Sequence, residues 1–199
     1  MATYVLVHGW EHSSWYWHLV IAELEALGHE ALAADLPCDD DDAGLDEYAD
    51  TVVEGAGGRR GVVLVGHSLA GFSVPLACQR LEAPLMVLVA AMVPRPGETA
   101  GEWWANTGYE FPEPFDPASV FAHDLPPGLA AQLPLHIRRH SGSSSSVRSC
   151  RPAPEARRLP SLAPSNDEVA KILLAQLDGQ PKQWEDFGTH KGPVRAPTP

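Results

Sequence analysis

Apolar residues in this chain fall into short unbroken runs separated by longer amphipathic stretches. Thr3-Tyr4-Val5-Leu6-Val7, Glu30 to Leu36, Val62 to Val65 and Leu85 to Ala90 are runs of this kind, rich in branched side chains, and Pro37 stops the second. Runs that are apolar on both faces predict strands buried inside a parallel sheet. Between them, Trp15 to Leu27 places Leu19, Val20, Leu24 and Leu27 at helical spacing, with Gly28 positioned as a C-cap. Leu45 to Gly55 and Leu69 to Leu81 predict two further helices. Strands alternating with helices imply an α/β fold: a doubly wound, mainly parallel sheet with helices on both faces. Its active site should lie at the carboxyl ends of the strands, where His8, Asp35, Ser68 and Ala91 fall.

After Pro94 the periodicity fades. Residues 94–134 are rich in proline and aromatics, including Trp103, Trp104, Tyr109, Phe111, Phe115 and Phe121. A second change follows near His140. Residues 1–140 hold six arginines and no lysine against twenty acids, a balance of −14, whereas residues 141–199 hold five arginines and three lysines against six acids, a balance of +2. Ser141 to Ser146 and the prolines at 152, 154, 160 and 164 cannot bury enough apolar surface to hold one conformation. Within this stretch only Val169 to Leu177 predicts a helix. The expected organisation is a folded unit over 1–140 and an atypical Ser/Pro/Arg-rich tail over 141–199. The shift resembles a change of reading frame or a foreign tail.

Composition narrows the function classes. With 199 residues, 44% of them apolar, the chain suits one domain with a real core. A net charge of −12 argues against nucleic acid or an anionic membrane as a partner. No apolar run reaches bilayer length, and a first strand beginning at residue 3 leaves no room for a signal peptide. Cys38, Cys78 and Cys150 are odd in number and lack metal spacing, so neither a disulfide framework nor a metal is expected. Asp39 to Asp42 reads as a solvated loop, since four adjacent acids cannot all face one ion. The expectation is a cytoplasmic protein without cofactor.

The chemistry centres on Gly66-His67-Ser68-Leu69-Ala70-Gly71, which follows a predicted strand and opens a predicted helix. This fits G-x-S-x-G, with Ala70 where the second glycine would stand. A serine attacks a carbonyl only if its hydroxyl stands clear at a strand end, which demands a sharp, strained strand-to-helix turn. The Leu69 N–H then becomes one oxyanion donor. A second donor usually comes from a loop after an early strand, and His8-Gly9-Trp10 suits that position, with the Trp10 N–H as donor and Gly9 and His8 shaping the substrate side.

Taken together, His8 to Trp17, Gly28-His29-Glu30, Ala34 to Pro37, Gly66 to Gly71 and Val93 to Glu98 resemble the α/β-hydrolase superfamily. The match is to a small bacterial branch similar to plant methylesterases and hydroxynitrile lyases. The resemblance covers about Thr3 to Ile137 and departs from the family beyond it, as though the fold were C-terminally incomplete or altered. It implies that residues of about 94–134 form a small cap over the pocket and that the substrate is a small apolar ester. It also implies two later strands delivering an Asp and then a His to complete a triad. The one histidine after His140 is His190, with Gly188 two before it, and Asp167, Asp178 and Asp186 lie upstream; Asp167 has the most usual separation. His190 and Asp167 are therefore the candidate base and acid, although neither follows a visible strand. His8 and His12 are expected to shape the pocket rather than act as base.

Two function classes stay open. One is a serine hydrolase cleaving carboxylic esters through an acyl-enzyme on Ser68, impaired if the acid and histidine are missing. The other is a non-catalytic remnant of the fold that binds a small ligand. Cyanohydrin cleavage on the same scaffold requires a cation near the base and is disfavoured, because the first lysine is Lys171.

Overall fold

The computed structural model describes residues 1–10, 12–40, 42–110, 113, 114, 116 and 125–136, together with the backbone of Arg157 and Arg158. Strands β1 (Thr3–Val7), β2 (Glu30–Ala34), β3 (Val63–His67), β4 (Leu85–Val89) and β5 (Arg157–Arg158) form one parallel sheet in the order β2-β1-β3-β4-β5. In the register, Val5 stands between Leu32 and Leu64, and Val7 pairs Gly66.

Alternate side chains of each strand feed two cores. Val5, Val7, Leu64, Met86 and Leu88 pack with Tyr48 and Val52 of α2 (Leu45–Gly55) and with Val74 and Ala77 of α3 (Val74–Leu81). Tyr4, Leu6, Val63, Val65, Val87 and Val89 pack on the opposite face with Val20 and Leu24 of α1 (His18–Ala26). The sheet is therefore wound on both sides, which explains why its strands read as continuous apolar runs. The chain leaves β1 for β2 on one side and returns to β3 on the other. A crevice opens at such a reversal of strand order, beyond the carboxyl ends of β1 and β3.

Two predicted helices differ at their starts. The first begins as a 3₁₀ turn over Ser14–Trp17 before α1 takes over, and Gly28 supplies the expected left-handed C-cap with φ +81°. The third breaks into a 3₁₀ turn over Ser68–Gly71 and then α3. Pro75 sits in the first turn of α3, a position where its missing N–H costs nothing, so a new helix begins there.

Residues 141–164 were expected to carry no regular structure, and β5 corrects that for two of them: Arg157 and Arg158 pair with Val87 and Leu88. A two-residue edge strand needs little burial, which is why no apolar run announces it. The predicted helix over Val169–Leu177 and the rings of Phe111, Phe115 and Phe121 lie outside the described residues.

Within 94–134, α4 (Ala100–Thr107) is closed by a reciprocal cap. The Thr99 hydroxyl accepts from the Glu102 N–H, and the Glu102 carboxylate accepts from the Thr99 N–H. Trp103, Trp104 and Leu69 pack against the buried Phe72, Met92 and Ala100, a small core between α4 and the turn after β3. The segment 125–136, with α5 (Pro127–Ala130), meets the first strand's loop through rings: Trp15 is stacked between His18 (4.3 Å between centroids) and His136 (3.9 Å, 5°). Trp17 is core. Asp39, Asp40 and Asp42 are exposed, and the Asp40 carboxylate accepts from the Asp42 N–H, as suits a solvated turn. Among the described residues no helix is long and apolar enough to cross a membrane.

Candidate active site

At the end of β3 the backbone of Ser68 turns left-handed, with φ +53°. A serine pays for that conformation, and it persists only where neighbours over-determine it. Here they do. The Met92 N–H donates to the Ser68 carbonyl at 2.9 Å, tying the turn to the loop after β4. At Gly71 a Cβ would lie 1.8 Å from the Met92 carbonyl oxygen, and at Gly66 it would lie 2.9 Å from Val74 Cγ2. Ala70, which replaces the second glycine of the motif, is buried, and a Cβ on Gly66 would stand 3.5 Å from its methyl. That spacing is ordinary contact, so alanine fits there.

Gly9 closes the other side. A Cβ there would lie 2.7 Å from Ser68 Cβ, 3.1 Å from His67 Nδ1 and 3.2 Å from the His67 carbonyl oxygen. The loop after β1 therefore lies directly against the serine, and only glycine allows it. This contact spans two strand ends far apart in sequence, and nothing local signals it.

His8 holds that loop from behind. Its ring is fully buried; the Leu36 N–H donates to Nε2 at 3.0 Å, so the proton is assigned to Nδ1, which donates to the Gly9 carbonyl at 2.8 Å. Asp35 Oδ1 is 3.6 Å from Nε2 and instead accepts from the Ser14 N–H at 2.9 Å. Both nitrogens of His8 lie within hydrogen-bonding distance of backbone groups, so the ring braces the loop from behind. In a planar trans peptide the carbonyl and the next N–H point in opposite directions. With the Gly9 carbonyl turned back to His8, the Trp10 N–H is turned away from it.

His67 points into an aromatic cluster. Its ring stacks on Tyr16 (4.7 Å, 20°) and meets Trp17 edge-on, with the Tyr16 hydroxyl 3.3 Å from Nε2 and Nδ1 shielded from solvent without a partner. Burial, with His12 and His8 nearby, pushes its pKa down to about 3. Burial and then His8 push that of His12, which packs on Tyr16, down to about 4. Both rings are neutral at pH 7. No local pattern marks Tyr16, because its role depends on a ring 51 residues away at the end of β3.

Among the described residues no side chain hydrogen-bonds the Ser68 hydroxyl. The structure brings together Ser68, Leu69, Gly9 and Trp10 at the crevice between β1 and β3, with His8 behind them. His190 and Asp167 lie outside the described residues.

Comparison with known proteins fits this geometry. A sequence profile of the Alpha/beta hydrolase family matches residues 4–191, further along the chain than the motif resemblance, which ended near residue 137. The chain is 40% identical over 111 residues to the Probable esterase PIR7A of Oryza sativa subsp. indica, covering 49% of this chain and 42% of that protein. It thus spans less than half the length of that curated relative. Polyneuridine aldehyde esterase superposes with a TM-score of 0.68 at 19% identity, covering 89% of this chain and 100% of that one. The methylesterase MES16 from Arabidopsis superposes with a TM-score of 0.63 at 22% identity, covering 88% and 85%.

Proposed function

The chain belongs to the alpha/beta hydrolase family, and on that premise we propose that it is a serine hydrolase cleaving small apolar carboxylic esters through an acyl-enzyme on Ser68. The observation that carries this reading is the left-handed Ser68 at the end of β3 with the Gly9 backbone packed against it. A strained serine at that point is what a nucleophile elbow requires. The Ser68 hydroxyl adds to the ester carbonyl, and the developing oxyanion accepts hydrogen bonds from the Leu69 and Trp10 N–H groups. Collapse expels the alcohol and leaves an ester on Ser68, which water then hydrolyses to the acid. The buried His8 clamp supports the Trp10 role by fixing the orientation of that peptide.

His8 and His67 are engaged elsewhere and do not serve as the general base; the family resemblance implies His190 oriented by Asp167 for that work, in a tail that no apolar run precedes, so slow turnover is expected. The names of the relatives, esterase and methylesterase, favour an ester substrate. The partly buried Leu69 and Trp103, packed against the buried Phe72, Met92 and Ala100 close after the elbow, favour an apolar one. A fluorophosphonate probe tests the proposal directly. Mass spectrometry should find the adduct on the peptide holding Ser68, and Ser68→Ala should abolish both the adduct and ester turnover. Absence of labelling in the parent chain would leave the non-catalytic, ligand-binding reading in its place.

A further inference from the structure

The side of Gly9 that carries no side chain is turned to three atoms. Ser68 Cβ, His67 Nδ1 and the His67 carbonyl oxygen lie 2.7, 3.1 and 3.2 Å from where a Cβ would stand. The loop after β1 thus rests on two residues, and the edge of the His67 imidazole is part of its seat. Two orientations of that ring are related by a half-turn, which exchanges each nitrogen with a carbon. In the observed one Nε2 faces the Tyr16 hydroxyl at 3.3 Å, while Nδ1 is shielded from solvent without a partner. A neutral imidazole carries one proton. On Nδ1 that proton would be a buried donor without an acceptor, the rarer defect. On Nε2 it is donated to the Tyr16 oxygen, and Nδ1 is left as a bare acceptor facing Gly9. The half-turned ring would lose this hydrogen bond and present a C–H to Gly9 instead. Tyr16 is itself held in place. Its N–H donates to the Ser13 carbonyl at 3.0 Å, the Asp35 carboxylate accepts from the Ser14 N–H at 2.9 Å, and the rings of His12 and His67 each lie 4.7 Å from its own.

We propose that Tyr16 is a positioning residue for ester cleavage at this site: by accepting a hydrogen bond from His67 Nε2–H, it holds the imidazole in the orientation that seats Gly9, and with it the Trp10 amide, beside Ser68. The proposal rests on the ester-cleaving reading of the same site and adds what sets the distance between its oxyanion loop and its nucleophile. Oxyanion donors are aimed at charge that develops only in the transition state. A small shift of the loop therefore weakens transition-state binding more than ground-state binding, and the loss falls on kcat rather than KM.

Tyr16→Phe keeps the ring stack and removes only the oxygen. In the parent chain, long-range 1H–15N correlation should find the His67 proton on Nε2. In Tyr16→Phe the Gly9 and Trp10 amide resonances should move. On p-nitrophenyl acetate kcat should fall about 3- to 10-fold, with KM within about 2-fold of the parent. A proton on Nδ1, unmoved Gly9 and Trp10 amides, or parental kcat in Tyr16→Phe overturns the proposal. The two readings fail separately. A parent chain that takes no fluorophosphonate on Ser68 and turns over no ester defeats the hydrolase reading, whereas the His67 proton and the two amides still decide whether Tyr16 seats the loop.

Discussion

At the scale of single residues, two glycines do different work although each would clash with an added methyl. At Gly71 the obstacle is the Met92 carbonyl, 1.8 Å from the added Cβ, and a backbone oxygen cannot swing aside. Gly71→Ala must break the bond from the Met92 N–H to the Ser68 carbonyl, so it is expected to cost more than about 3 kcal/mol of stability, read as a fall in the urea midpoint or as insoluble protein. At Gly9 the neighbour is Ser68 Cβ at 2.7 Å, and the loop or the serine must shift by a fraction of an ångström to about an ångström. Displacements of that size at a reacting centre cost about 10²-fold in rate. Gly9→Ala should therefore lose about that factor in kcat/KM on p-nitrophenyl acetate with a smaller change in the urea midpoint than Gly71→Ala. A Gly9→Ala protein with parental turnover would show that the loop does not crowd the nucleophile. The serine and the glycines around it were legible in the chain because an elbow is a local device with fixed spacing. The role of Gly9 as a close neighbour of Ser68, the His8 clamp and the partnership of Tyr16 with His67 were not, since each joins segments far apart in the chain.

At the scale of elements, the strands and helices of the first hundred residues were readable because each buries a face with its own period. What the period could not show was how a helix begins. The 3₁₀ turn over Ser14–Trp17 exists to place Tyr16 and Trp17 against His67, and that packing has a pH signature. Burial holds His67 near 3 and His12 near 4, below the ordinary imidazole value of 6.5. The unfolded chain therefore binds protons that the folded one refuses. Stability is fully present above about pH 6.5 and is lost as pH falls below it, at up to about 1.4 kcal/mol per pH unit for each ring. Glu30, Glu47 and Glu98 also have lowered pKa values, set by hydrogen bonds, but as carboxylates they act below about pH 4.5. Urea midpoints measured between pH 6.5 and 5 isolate the imidazoles, and His67→Gln should flatten the slope. An unchanged slope would mean that His67 is reachable by protons in the folded state. Helix α4 is a separate case: losing its reciprocal Thr99–Glu102 hydrogen bonds in Thr99→Ala should cost about 1 kcal/mol. Faster amide exchange across Ala100–Thr107 would report it.

For the whole molecule, the question is how the crevice built by residues 3–92 acquires a base. A nucleophile elbow and two oxyanion amides retain roughly 10³–10⁴-fold acceleration over water when triad members are absent, and a positioned histidine adds several kcal/mol beyond that. His190 follows a proline- and serine-rich stretch whose charge balance is reversed from the rest of the chain, and no apolar run precedes it to act as its supporting strand. The family profile nevertheless reaches residue 191, one position past it, while pairwise similarity to the rice esterase spans 49% of the chain. A base must come within about 3 Å of the serine hydroxyl to work, and a sequence with this proline and serine content carries little apolar surface with which to hold one there. The expected outcome is slow turnover of p-nitrophenyl acetate and nearly the same rate in His190→Ala, with Ser68 still labelled by fluorophosphonate in both. A fast parent chain that loses its activity on that substitution, and loses it again on Asp167→Asn, would show instead that the tail delivers a complete triad to the end of the sheet. The tail is legible as different through its serine and proline content and its reversed charge balance, whereas a strand before His190 would need an apolar run that the sequence does not carry.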